Sequence, residues 1–139
     1  MFSQPRVLLI SNDEAETGYL KAILSEHVML HSVRDLPELE NHLEGGGYDA
    51  VFCGWSFQRG TWSDALRQVQ QRNPSLPVVI FCRTGGEREW VEVLEAGGFD
   101  LLAAPYQKPT VLALLEQAVD SYQARRLQNL MPKVAAHAN

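Results

Sequence analysis

Cys82, then Arg83-Thr84-Gly85-Gly86-Glu87, then Arg88 is the stretch of this 139-residue chain whose residue types and spacing most directly suggest chemistry. The cysteine ends an apolar run, Val78–Phe81, which would place a thiolate at the end of a strand. Gly85 and Gly86 would let the loop curl its backbone N–H groups into an anion-binding nest, with Arg88 in the first turn of the next helix. Such an arrangement suits a thiol nucleophile acting on an anionic substrate, with Cys82 and Arg88 as the working pair. Two features oppose it. Glu87 and Glu89 flank the arginine with charge that repels an anion, and no partner acid is placed by motif. A free cysteine at a strand end otherwise serves as a small core residue, and Cys82 is expected to be an ordinary buried thiol.

The other chemistry-bearing residues form weaker constellations. Asp13 and Glu14 would attract a cation only weakly, and they suit the N-terminus of a first helix, where the macrodipole favours carboxylates. His27 and His31 lack a set of metal-ligand neighbours. Trp55 and Trp62 bracket "GWSFQRGTW" and suit either a partner or the covering of a pocket. Arg125 and Arg126 read as a solvated face.

Composition narrows the classes further. A 45% apolar and 21% charged chain of this length suits one globular domain. The net charge of −5, with no basic stripe, excludes broad nucleic-acid binding by this domain. Cys53 and Cys82, each at the end of an apolar run, point to free thiols in a reducing compartment. No run approaches membrane-spanning length, and the first residues lack the apolar core of a leader peptide. The expectation is a cytoplasmic protein with no membrane contact, no metal and no cofactor.

These residues must be positioned by alternating elements. Val7–Ile10, Val28–Val33, Ala50–Cys53, Val78–Phe81 and Leu101–Ala104 have strand length and composition. Four lack in/out alternation, as parallel strands covered on both faces do, and the better-alternating second run reads as an edge. Between them run helical stripes: Leu20, Ile23, Leu24 and His27; Trp90, Val93, Leu94 and Gly97; Val111, Leu114, Leu115, Ala118 and Tyr122. Asp35 and Glu38 predict a capping box for a helix that stops at Gly45–Gly47, and Ser63 predicts a cap for a helix ending near Asn73-Pro74. The last helix is expected to reach about Leu130 and to end by Pro132. Strict β-α alternation implies a parallel sheet with helices on both faces.

A five-fold alternation of this kind, with "YDAVFCGW" as third strand, "LPVVIFC" as fourth and "VEVLEAGGFDLLAAPY" as the helix-to-strand passage, resembles the receiver domain of two-component response regulators. The resemblance covers about Arg6 to Tyr122 and implies a flavodoxin-like (βα)5 three-layer sandwich with strand order 2-1-3-4-5. Residues 1–122 then form the receiver-like domain and 123–139 a helical extension and tail, which would suit a linker to an output domain in a longer chain. In the family an aspartate ending strand three takes a phosphoryl group, and two acids after strand one hold Mg²⁺. A Ser or Thr ending strand four and a Lys ending strand five contact the phosphoryl oxygens. Laid onto this chain, the acid pair falls on Ser11 and Asn12, the acceptor on Gly54, the hydroxyl on Cys82 and the lysine on Ala104. The switch aromatic of strand five falls on Leu101, and Pro105 holds the family's proline, whose preceding bond is often cis. Asp49 lies about 16 Å from the acceptor position along an extended strand, at the wrong end.

The resemblance therefore implies a pseudo-receiver in phosphorelay signalling that lacks the phospho-acceptor and acts through protein contact. The expected surface is the helix 4–strand 5–helix 5 face, with Leu101, Leu112, Val119, Leu127 and Leu130 covering a homodimer or another protein partner. Two alternatives come from different classes. The Cys-x₅-Arg spacing is similar to that of tyrosine-phosphatase-like and rhodanese-like enzymes, which would make the chain a thiol enzyme using Cys82 and Arg88. A purely structural dimerisation module is the third.

Overall fold

The computed structural model describes residues 4–130. Strands β1 (Arg6–Ile10), β2 (Met29–Val33), β3 (Ala50–Gly54), β6 (Val78–Cys82) and β7 (Asp100–Ala103) alternate with helices α1 (Glu14–Leu24), α2 (Leu36–Gly45), α3 (Trp62–Arg72), α4 (Glu87–Ala96) and α5 (Lys108–Leu130). A two-stranded antiparallel ribbon, β4 (Ser56–Phe57) and β5 (Gly60–Thr61), stands between β3 and α3. The main sheet is wholly parallel, in the order β2-β1-β3-β6-β7. The expected order 2-1-3-4-5 counted five strands; the ribbon adds two to the chain numbering, so the last two sheet strands become β6 and β7. β2 is an edge, as its pattern predicts.

The strands read as apolar runs because both their faces are buried. Leu8, Ile10, Val51, Cys53, Val78 and Ile80 face the core beneath α2, α3 and α4. Val7, Leu9, Ala50, Phe52, Val79 and Phe81 face the other, beneath α1 and α5. Phe52 and Phe81 are fully buried, each contributing about 1.5–3 kcal/mol of apolar burial.

Caps set the helix entries. Asp13 accepts a hydrogen bond from the Glu16 amide at 3.1 Å, as its capping role requires. Asp35 accepts from the Glu38 amide at 3.0 Å, which is one half of the expected capping box; the return bond from the Glu38 side chain is absent among the described residues. The third helix is capped differently from the Ser63 expectation. Thr61 ends β5 in extended conformation and is the N-cap, and its amide donates to Asp64 Oδ2 at 3.0 Å. Ser63 already lies inside the first turn, because the ribbon delivers the chain to the helix two residues earlier. α4 ends at Gly97, whose φ of 101° is the left-handed conformation that a helix C-terminus favours.

Two predicted stripes are narrower than expected. His27 lies beyond α1 and is exposed, leaving Leu20, Ile23 and Leu24 as the buried face. On α4 only Val93 is buried; Trp90 and Leu94 are exposed, because α4 covers the sheet with one edge of its apolar surface. The α5 stripe Val111, Leu114, Leu115, Ala118 and Tyr122 is buried throughout. Pro132 and the rest of the expected tail lie outside the described residues. Among the described residues no helix is long and apolar enough to cross a membrane.

Candidate functional site

Parallel strands deliver their carboxyl ends to one edge of the sheet, and the five positions expected to form a pocket arrive there together. Pairing of Ile10 with Cys53, Gly54 with Phe81 and Cys82 with Ala103 puts the ends of β1, β3, β6 and β7 side by side. Ser11 is buried, with its hydroxyl accepting from the Asp13 amide at 3.3 Å; Asn12 is exposed. Gly54 is buried, and a Cβ there would meet the Phe81 ring at 3.4 Å and the Ile10 carbonyl oxygen at 3.5 Å. Ala104 is half-buried, donates its amide to the Cys82 carbonyl at 3.2 Å, and precedes Pro105 through a cis bond as expected. Asp49 sits at the opposite end of β3, where it accepts from the Arg6 amide at 2.9 Å.

Apart from Asp13, the charge at this edge comes from residues that spacing did not single out. The Arg83 guanidinium reaches across from the loop after β6 and pairs with Asp13 Oδ2 at 2.6 Å and Glu16 Oε2 at 3.7 Å. Glu16 also accepts from the Tyr106 hydroxyl at 2.5 Å. Asp13, Glu16, Arg83 and Tyr106 thus join the loops after β1, β6 and β7 in one polar network. Burial, then the hydrogen bond and charge of Glu16, push the Tyr106 hydroxyl above its ordinary pKa. No local pattern announces this network, since its partners are 70 and 90 residues apart in sequence. The sole signal is a basic residue directly after the position of the strand-four hydroxyl. Among the described residues no group of three His, Cys, Asp or Glu side chains is placed to hold a metal ion.

The loop of Cys82 folds inward. The thiol is 8% exposed, with Thr84 Oγ1 4.0 Å from its sulfur. Gly85 packs so tightly that a Cβ would stand 3.0 Å from Leu101 Cδ2 and 3.4 Å from Cys82 Cβ. The Gly86 amide, which an anion nest would need, already donates to Glu89 Oε1 at 2.9 Å. Arg88 is exposed on α4. The aromatic loop also turns inward: Trp62 is buried, Trp55 is half-buried against it with ring centroids 5.4 Å apart, and Phe57 is buried. The pair covers the core beneath the ribbon.

The expected apolar row on the last helix needs correction. Val119 is 6% exposed and Leu112 packs against the same core, because α5 presents a wider face to α1 and the sheet than a single stripe predicts. Leu127 is 65% exposed, Leu101 is half-buried, and the side chain of Leu130 lies outside what is described. The exposed apolar surface sits on α4 instead, as Trp90, Val91 and Leu94. Trp90 anchors it to β7 through Nε1 donating to Asp100 Oδ1 at 2.9 Å.

Comparison with known proteins agrees with this architecture. No family model matches the chain. It is 34% identical over 61 residues to the DNA-binding transcriptional regulator NtrC of Escherichia coli K12, a match covering 44% of this chain and 13% of that protein. It is 29% identical over 123 residues to the response regulator protein PilR of Pseudomonas aeruginosa, covering 87% of this chain and 26% of that protein. The matched segments thus span only 13% and 26% of the length of these two curated relatives. Among solved structures, the beryllofluoride-activated NtrC4 receiver domain dimer superposes with a TM-score of 0.77 at 20% identity, over 84% of this chain and 98% of that one. The chain thus has the fold of response-regulator receiver domains and is similar in sequence to segments of these two regulators.

Proposed function

We propose that the domain signals by protein contact and is not switched by an aspartyl phosphate. The observation that carries this reading is the content of the strand-end edge. Glycine stands at the acceptor position, and Asp13 in the loop after β1 and Glu16 in α1 already engage Arg83. A hard cation needs free carboxylate oxygens, and Ser11 and Asn12 supply none. Arg83 acts as a built-in cation that holds the loops of β1 and β6 together without a ligand. With no phosphoryl group to distinguish two states, nothing at this edge shifts a population, so control passes to the partner.

The contact surface in this reading is the α4–β7–α5 face, with Trp90, Val91 and Leu94 as its apolar part. The partner is a second copy or another protein, and the setting is the cytoplasm. Both curated relatives are several times longer than the matched segment, which supports placing the module in a regulator whose output lies on a further domain or on that partner. Intact-mass measurement after incubation with acetyl phosphate and Mg²⁺ tests the central claim. The expected spectrum is unchanged; a stable gain of one phosphoryl group mapped to an aspartate overturns it.

A further inference from the structure

Around the corner from the strand-end network, on the β2 side of α1, lies a cleft of about 480 Å³ that Gly54, Cys82 and Ala104 do not line. It is walled by Ser11, Thr17 and Lys21 on one side, and by Ser32, Arg34 and Gln58 on the other. The size lies within the range of small-molecule sites, but the lining is polar where most such sites are apolar.

Two observations point to a ligand. Lys21 and Arg34 both line the cleft, and neither takes part in an ion pair among the described residues. They outnumber the one acid in the lining, Glu14. Independently, Thr17 is 7% exposed and its Oγ1 is buried without a hydrogen-bond partner. Buried hydroxyls are nearly always satisfied, and this one has no accessible surface of its own, so it meets a ligand in the cleft only after the side chain turns. A helical threonine has two accessible χ1 wells, and exchange between them re-aims the hydroxyl.

The lining also selects among anions. No aromatic side chain is present on which a base would stack, whereas hydroxyls and amides are plentiful. We propose that the cleft binds a small phosphorylated polyhydroxy compound of the sugar-phosphate class. Lys21 and Arg34 take the phosphate, and Thr17, Ser32 and Gln58 pair with the hydroxyls. This does not rest on the loss of phosphotransfer, because Gly54, Cys82 and Ala104 stand outside the cleft, and Ser11 and Asn12 are the two strand-end residues that it shares with the acceptor edge.

Amide NMR titrations of the full chain with glucose 6-phosphate, adenosine 5′-monophosphate and inorganic phosphate test it. Glucose 6-phosphate is expected to shift the amides of Thr17, Ser32 and Arg34 and to bind more tightly than the other two. Arg34→Gln and Lys21→Gln should each weaken it about tenfold, the loss of one charge-assisted hydrogen bond, whereas Glu14→Gln should tighten it. Thr17→Val separates ligand role from structural role. It should raise the unfolding midpoint of the free chain, by removing an unsatisfied hydroxyl, while weakening glucose 6-phosphate binding. Tighter binding of the mononucleotide, equal binding of inorganic phosphate, or no shift at millimolar ligand overturns the proposal. So does a Thr17→Val chain that binds as the parent does.

Discussion

Arg83 and Tyr106 converge on the same carboxylate, Glu16, but from environments that give their contacts different weights. Arg83 is 58% exposed and its partner Asp13 is 40% exposed, so that ion pair is screened by water and worth about 1 kcal/mol or less. Tyr106 is 7% exposed and the Glu16 side chain 9%. Removing the phenol hydroxyl leaves a nearly buried carboxylate short of a donor, at a cost of about 1–3 kcal/mol. Urea unfolding near neutral pH is therefore expected to rank Tyr106→Phe as more destabilising than Arg83→Ala. The reverse order would mean that Arg83 carries the network. A pH dependence follows with a definite sign. Tyr106, Tyr48 and Cys53 all have folded-state pKa values raised by burial. Their contribution is complete below the ordinary cysteine and tyrosine range and is lost as pH rises through it, from about 9 upward. Stability should fall on the alkaline side, and the fall should be shallower in Tyr106→Phe.

The helices and strands were legible where packing follows a period, and obscure where a long-range contact decides. The central strands announce themselves because residues of both parities are apolar, which only burial on two faces permits. The ribbon of β4 and β5 gives no such signal. Each strand is two residues long, and its turn is made by Arg59 at a φ of 62°, a conformation that sequence rarely assigns to arginine. The α4 stripe misled for a related reason: periodicity records which side is apolar, not whether that side is covered. The candidate edge was legible at Gly54, Cys82 and Ala104, which keep their places by strand register, but not at Arg83. The same elements give a sharp test at the end of α4. A Cβ on Gly98 would stand 2.5 Å from Val93 Cγ1 and 3.0 Å from the Val93 carbonyl oxygen. Val93 is fully buried and β-branched, so it cannot yield, and Gly98→Ala should cost about 1–3 kcal/mol by overpacking. At Gly97 the clash is with the flexible end of Gln70, and the cost is mainly the left-handed backbone, about 1–2 kcal/mol. Thermal unfolding of the two variants, with Gly98→Ala melting no earlier than the parent, would show that the α4–β7 turn adjusts freely.

For the whole molecule, the question is whether two copies can use the α4–β7–α5 face without repelling each other. The chain carries a net charge of −5, and α4 holds four glutamates against one arginine, so α4 packed on α4 would be opposed. A two-fold pairing that sets α4 of one copy against α5 of the other avoids this, since each contact then occurs twice with complementary partners. α5 offers exposed Arg125 and Arg126 there, next to exposed Leu127. Trp90, Val91 and Leu94 supply the apolar part, 44%, 39% and 38% exposed. Light scattering is expected to find a dimer at high micromolar concentration that dissociates as salt screens the glutamate–arginine pairs. Leu94→Glu and the double substitution Arg125→Glu with Arg126→Glu should each yield monomers with an unchanged unfolding midpoint, because none of the three side chains is in the core. Truncation must stop after Ala124 and spare Tyr122, which is buried and accepts a hydrogen bond from Asn73 Nδ2 at 3.0 Å. That truncation should also be monomeric. A dimer strengthened by salt would rule out the crossed arrangement, and a full chain that stays monomeric would leave the acidic, apolar surface of α4 to a partner protein with a basic rim.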